Sequence, residues 1–257
     1  MDRPREPLPT RVEETPALPA AYHAALDAGL AALDLALTPV AQAAIDGHAR
    51  LLLAWTSAIN LTAIRDPAAV AVAHVVDSLT AVTLLRERGV DQLLDLGSGG
   101  GYPGLPLAAV LPAARALLIE PVAKKADFLS VAVTATGLAD VVEAAAVRAE
   151  ALAADPRHRG RWPAVTVRAV ANLADLVELA FPLLAPGGCL VAWKRGDLAA
   201  EMAAADRAID ALGGGSLVVQ AVDIPGLEGH RLVVATPRGR VPSGYPRDPA
   251  ARKRRPW

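Results

Sequence analysis

Residues 93–108, LLDLGSGGGYPGLPLA, constrain the fold more than any other stretch. An apolar run ending in an acid, Asp95, meets four glycines within positions 97–101, and an apolar segment follows. A glycine loop bounded in this way joins a buried parallel strand to a helix. It also lets backbone approach a ligand at the carboxyl end of that strand. In one frame Gly99, Gly101 and Gly104 match G-x-G-x-x-G, the dinucleotide pattern.

The chain beyond this loop keeps alternating. Apolar runs at 92–96, 116–120, 141–145, 164–169 and 189–194 are expected strands. Helices are expected between them at 104–110, 124–136, 150–154 and 173–184, the last ended by Pro186-Gly187-Gly188, with another after the fifth strand at 197–212. This alternation implies an α/β fold with a mostly parallel sheet and helices on both faces. Runs 217–224 and 231–236 are joined too closely for a crossover helix, so they predict an antiparallel hairpin at the sheet edge. Upstream, helices are expected at 20–33, from Thr38-Pro39 to 57, and from Asp66-Pro67 to 88, where Gly89 ends the last one.

Four segments follow: a flexible leader at 1–18, a helical N-terminal extension at 19–89, a ligand-binding α/β domain at 90–237 and a basic arm at 238–257. The arm carries Arg238, Arg240, Arg247, Arg252, Lys253, Arg254 and Arg255 against one acid, Asp248, on a chain of net charge −1. Such an arm suits a polyanionic partner or a solvated tail. The single cysteine, Cys189, excludes an intramolecular disulfide and fits a reducing cytoplasm. The histidines at 23, 48, 74, 158 and 230 lack metal-ligand spacing, so no metal is expected. No stretch is expected to span a membrane.

Charge narrows the ligand. A dinucleotide would bring its pyrophosphate against Asp95. At about 4 Å and an effective dielectric of about 20, like charges repel by about 4 kcal/mol. S-adenosylmethionine has no phosphate and carries a sulfonium and an ammonium, so an acid at the strand end favours it. Glu120 ends the second strand, where a carboxylate accepts ribose hydroxyls in either class of enzyme. A nicotinamide-dependent oxidoreductase, a methyltransferase of another substrate and a non-catalytic RNA-binding relative therefore stay open.

The loop resembles that of the RsmG/GidB family, the 16S ribosomal RNA guanine-N7 methyltransferases. WTSAINLTAIRDP (55–67), HVVDSLTAV (74–82), IEPVAKKADFL (119–129), VRAEAL (147–152), VRAVANL (167–173), VAWKRG (191–196) and YPRDPAARKRRPW at the end are similar to further blocks of that family. The resemblance covers about residues 40–257. It implies a Rossmann-like class I methyltransferase with a helical N-terminal extension, S-adenosylmethionine as methyl donor and 16S rRNA in the small ribosomal subunit as substrate.

Carried over position by position, the resemblance assigns the cofactor loop to Gly97, Ser98, Gly99, Gly101 and Tyr102, and the ribose to Glu120. It places Ala149 and Glu150 beside the adenine. Arg168 becomes the candidate catalytic residue, at the methionine end or target pocket. The chain departs from the family pattern at Ala73, at Val167, in the order His230-Arg231-Leu232, and in lacking a late glycine-x-proline.

Arg65, Lys124, Lys125, Lys194, Arg195, Arg247, Arg252, Lys253, Arg254 and Arg255 are the candidate RNA contacts. His74, Asp77 and Ser78 share a helix face, which either borders the cleft or ties the N-terminal helices to the sheet. Guanine N7 carries a lone pair and no proton, so the absence of an evident catalytic dyad fits that acceptor. The expected protein is a cytoplasmic monomer.

Overall fold

The computed structural model describes residues 7–111, 115–168 and 171–257. Residues 1–6 of the expected leader and Ala169, at the end of the expected fourth strand, lie outside the described residues.

Helix starts follow the capping chemistry. Helix α1 spans Ala20–Ala32. Thr38 accepts the amide of Ala41 and Pro39 takes the first helical position, so α2 runs Pro39–Ile59 and stops at Asn60 in the left-handed region. Asp66 caps α3 (Pro67–Val70) by accepting the amide of Ala69 at 2.8 Å. The helix expected over 66–88 is not continuous. It passes through a π-helical turn, Ala71–Val76, then α4 (Asp77–Leu79) and α5 (Val82–Glu87). By length and composition, Pro67–Glu87 is apolar enough to cross a membrane. Here Val70, Val75, Val76, Leu79, Val82 and Leu85 are instead buried in the core.

The remaining elements are β1 (Gln92–Leu96), α6 (Gly104–Val110), β2 (Arg115–Ile119), α7 (Ala123–Ala135), β3 (Val142–Ala145) and α8 (Ala149–Ala154), followed by β4 (Trp162–Arg168), α9 (Leu173–Ala180), β5 (Leu184–Arg195), α10 (Ala199–Ala211), β6 (Gly215–Ala221), β7 (His230–Pro237) and α11 (Pro249–Arg254). They form one sheet in the order β3-β2-β1-β4-β5-β7-β6. The first five strands are parallel, and β7 inserts antiparallel between β5 and β6. The hairpin therefore lies at the sheet edge as expected. Its register sets Trp193 opposite Leu232 and Arg195 opposite His230.

Alternation along β1 divides the core into two layers. Leu93 packs with Leu51 of α2, Leu107 of α6 and Phe128 of α7. Leu94 and Leu96 pack on the other face with Leu176 of α9 and Ala208 of α10. Asp95 thus falls on the α6 side.

Two further expectations differ. Residues 7–18 of the expected flexible leader lie along α2: Trp55 Nε1 donates to the Pro9 carbonyl at 2.7 Å, Arg50 Nε donates to the Pro16 carbonyl at 2.9 Å, and Val12 packs on the core. Those buried apolar and indole contacts outweigh the local proline-rich composition. The helix expected over 173–184 ends at Ala180, and β5 already begins at Leu184, upstream of Pro186-Gly187-Gly188. The strand absorbs those residues as an irregularity: Trp162 pairs with Leu184, but Ala164 pairs with Cys189. A Cβ on Gly188 would lie 2.8 Å from the Trp162 carbonyl, so the close strand approach requires glycine.

Candidate functional site

The carboxyl ends of β1, β2 and β4 open into two adjoining cavities. The larger, about 420 Å³, is lined by Gly97, Ser98, Gly99, Gly100, Tyr102, Glu120, Lys125 and Arg168, with Leu52, Leu61, Thr62 and His74 from the N-terminal extension. The smaller, about 220 Å³, is an apolar slot between Leu96, Ile119, Val147, Leu176 and Leu179, edged by Glu150, Asp175 and Arg252. Gly97 and Pro121 line both, so the two make one elongated tray.

Glu120 lines the larger cavity, next to Pro121, which lines both. The Glu120 side chain accepts the Gly99 amide at 3.0 Å through one oxygen and the Val122 amide at 2.9 Å through the other. These bonds fix the carboxylate, and each oxygen keeps a further lone pair for a hydroxyl donor. The loop is shaped for close approach: Gly97 (φ 67°) and Gly99 (φ 54°) adopt the left-handed region. Gly101 serves a different need. It lies against His48, and a Cβ there would come within 2.7 Å of that ring.

Asp95 is placed differently from the expectation. It is fully buried, and one oxygen accepts the Thr166 hydroxyl at 2.8 Å while the other receives the Gly104 amide at 3.3 Å. It is not among the residues lining the tray. Burial pushes its pKa up to about 6, against hydrogen bonds from Ser98 and Thr166 that lower it. Its direct contacts lie beneath the loop, where it ties the start of α6 to β4. Strand alternation sends its side chain to that side.

Tyr102 and His74, which also line the larger cavity, belong to an aromatic stack. The Tyr102 ring lies between His48, at 4.3 Å between centroids, and His74, at 5.0 Å. The Arg168 guanidinium lies 5.5 Å from the Tyr102 ring centre. His48 Nε2 donates to the Gly100 carbonyl at 2.7 Å, and His74 Nε2 shares a 2.7 Å hydrogen bond with the Thr62 hydroxyl. Burial lowers the pKa of His48 to about 3 and of His74 to about 4, so both rings are neutral near pH 7.

Arg168 is held from three sides. NH1 donates to Asp77 Oδ2 at 2.9 Å and to the Ala73 carbonyl at 3.1 Å, and NH2 meets His74 Nδ1 at 3.2 Å. The other Asp77 oxygen bonds His230 Nδ1 at 2.9 Å, and the Asp77 carbonyl accepts from Trp193 Nε1 at 2.7 Å. The Asp77 face therefore does both things the sequence left open. It ties α4 to β4, β5 and β7, and it borders the cavity through Arg168.

The expected RNA contacts divide into two groups. Arg65, Lys124, Arg195, Lys253, Arg254 and Arg255 are exposed, and Lys125 lines the tray. Lys194 is instead engaged by Glu201 at 2.6 Å and the Ala171 carbonyl. Arg247 forks onto fully buried Glu178, and Arg252 pairs with Glu150. These three cations have carboxylate partners within the chain, and strand and helix packing holds them there. His48, Thr62, Gly100 and Asp175 were not among the site residues expected from the sequence. Thr62, inside the 55–67 block, and Gly100, inside the glycine loop, lay in blocks that resemble the family; His48 and Asp175 did not.

Known proteins agree with this architecture. The profile of the family described as rRNA small subunit methyltransferase G, GidB, matches residues 41–228. The ribosomal RNA small subunit methyltransferase G of Dehalococcoides mccartyi (strain CBDB1) is 41% identical over 220 residues, 85% of this chain and 93% of that protein. That of Roseiflexus sp. (strain RS-1) is 42% identical over 205 residues, 80% of this chain and 87% of that protein. Among solved structures, the O-methyltransferase from Bacillus cereus in complex with SAH superposes with a TM-score of 0.54 at 18% identity, covering 75% of this chain and 91% of that one. That likeness shows a shared Rossmann-like fold. By sequence profile and by identity along most of its length, the chain belongs to the rRNA small subunit methyltransferase G family.

Proposed function

We propose that this chain transfers the methyl group of S-adenosylmethionine to N7 of a guanine in 16S ribosomal RNA, acting as a cytoplasmic monomer. The observation that carries the reading is the tray itself. A fixed carboxylate, Glu120, lines a polar cavity that also holds the Arg168 guanidinium, and its neighbour Pro121 borders both that cavity and an apolar slot that suits a flat base.

S-adenosylmethionine supplies an electrophilic methyl on sulfonium. The chain's residues do the positioning. Glu120 accepts ribose hydroxyls through its free lone pairs, and the slot edged by Ala149 and Glu150 takes the adenine. Arg168, whose position Asp77 and His74 fix, faces the amino-acid end, where its charge matches a carboxylate. N7 attacks with its own lone pair, so no side chain has to remove a proton. The site accords with this. His48 and His74 are neutral and hydrogen-bonded, and both Asp77 oxygens are engaged by Arg168 and His230. Arg65, Lys124, Lys125, Arg195 and Lys253–Arg255 supply cations for RNA phosphates.

The test uses purified protein, labelled donor, and either small ribosomal subunits or naked 16S rRNA. Label is expected at a guanine N7, with transfer abolished in Arg168→Ala and S-adenosylhomocysteine binding weakened, since that product keeps the carboxylate that Arg168 faces. Saturable NAD binding without binding of the methyl donor or its product would overturn the reading. So would label on protein alone.

A further inference from the structure

The C-terminal segment is more than a basic appendage, because it reaches the cofactor tray. Its anchor is Glu178 on α9, whose side chain is fully buried. One oxygen accepts the Arg247 backbone amide at 2.7 Å and Arg247 Nε at 3.0 Å. The other accepts Arg247 NH2 at 2.6 Å and Trp257 Nε1 at 2.7 Å. The Arg247 guanidinium also lies 4.4 Å from the Trp257 ring centre, which closes residues 247–257 into a loop around one carboxylate.

The short helix α11 rides on this anchor. Asp248 caps it, and Arg252 NH1 donates back to the Arg247 carbonyl at 2.8 Å. Arg252 NH2 then bonds Glu150 Oε1, and Arg252 lines the apolar slot beside Leu96, Ile119 and Leu176. Its side chain is only 12% exposed, so it is built into the slot.

We infer that Arg252 is a cofactor-site residue, supplied by the C-terminal segment, that closes the slot and contacts the adenine base. The inference rests on the proposed use of the tray. A guanidinium is planar, weakly hydrated and able to stack on a purine face while its edge holds a carboxylate. Arg252 fits this use: the Arg247 carbonyl holds NH1 and Glu150 holds NH2, hydrogen bonds made in the plane leave the faces of the group for stacking, and the residue lines the slot. The other guanidinium at the slot, that of Arg148, belongs to an exposed residue, so Arg252 is the one packed against the aliphatic walls.

Calorimetry on the full chain tests this with two ligands: S-adenosylhomocysteine, and S-ribosylhomocysteine, which lacks the adenine. Arg252→Ala is expected to weaken S-adenosylhomocysteine by about tenfold. Arg252→Lys, which keeps the charge but not the plane, should recover little of this. Neither variant should change S-ribosylhomocysteine binding. Unchanged S-adenosylhomocysteine affinity in Arg252→Ala overturns the inference. Equal weakening of both ligands also overturns it, because it assigns Arg252 a purely structural role. Failure of the unsubstituted protein to bind S-adenosylhomocysteine counts instead against the cofactor reading, and so separates the two.

Discussion

Asp77 Oδ2 and Arg168 NH1 are 2.9 Å apart, joining the N-terminal extension to the end of β4, with the aspartate side chain 2% exposed and the arginine 15%. Neither residue lies near the other in the sequence, and the cavity wall depends on their pairing. Removing one partner leaves the other charge buried, which costs about 3–5 kcal/mol. Asp77→Ala is therefore expected to lower the urea unfolding free energy by about 3 kcal/mol and to abolish methyl transfer. A stable, active variant would show that the pair is dispensable.

The glycine loop allows a second prediction. A Cβ on Gly104 would lie 2.2 Å from Leu118 Cδ2 and 2.8 Å from Asp95 Oδ2. Leu118 is fully buried and has nowhere to retreat. Gly104→Ala should cost about 1–3 kcal/mol through overpacking. Thermal unfolding should show a lowered midpoint, and an unchanged midpoint would mean that α6 can slide on the sheet.

Acid sensitivity follows from the histidines. His48 and His74 have pKa values depressed by burial from 6.5 to about 3 and about 4. The unfolded chain therefore binds more protons below pH 6.5. Their contribution to stability is complete above that pH and is removed as pH falls through about 4 and about 3. For His74, a depression from 6.5 to about 4 corresponds to about 3 kcal/mol. Asp95 works in the opposite direction. Its pKa is raised from 3.8 to about 6, so its contribution is present below 3.8 and disappears as pH rises through 6. Unfolding free energies between about pH 7 and about pH 4.5 should fall less steeply for His48→Gln than for the unsubstituted protein. Parallel curves would mean that His48 takes no part in acid unfolding.

RNA affinity should depend on salt through the exposed end of α11 and the residue after it. Lys253, Arg254 and Arg255 are exposed, whereas Arg247 and Arg252 are held by carboxylates. Replacing the three exposed residues with alanine should flatten the plot of log affinity against log salt, by about one for each of them that meets a phosphate. S-adenosylhomocysteine affinity should stay the same. An unchanged slope would mean that these side chains do not touch phosphate.

Much of this protein is legible in its sequence because local chemistry decides it. Thr38-Pro39 and Asp66-Pro67 start helices wherever they occur, since a side-chain acceptor and a fixed φ need no tertiary partner. QLLDL formed β1 over the expected residues, and the close spacing of the last two strands required a hairpin. The loop also determined the kind of site, because left-handed glycines beside a strand end leave room for a ligand and little else.

Where the charged residues point was not legible in this way. Asp95 stood next to the glycines in sequence, yet strand alternation turned its side chain beneath α6, away from the tray. The arm's composition suited either a polyanionic partner or a solvated tail. Buried Glu178, some seventy residues upstream, drew Arg247 onto α9 and delivered Arg252 to the apolar slot. A charge near an uncompensated buried opposite charge has little freedom, because leaving that partner unpaired costs about 3–5 kcal/mol. Such partners come from distant strands and helices, so composition and spacing cannot name them. Capping and alternation placed most of the elements, and the family came from the resemblance carried by the glycine loop and the further blocks. Packing chose which acids and bases line the cavities and which hold the frame.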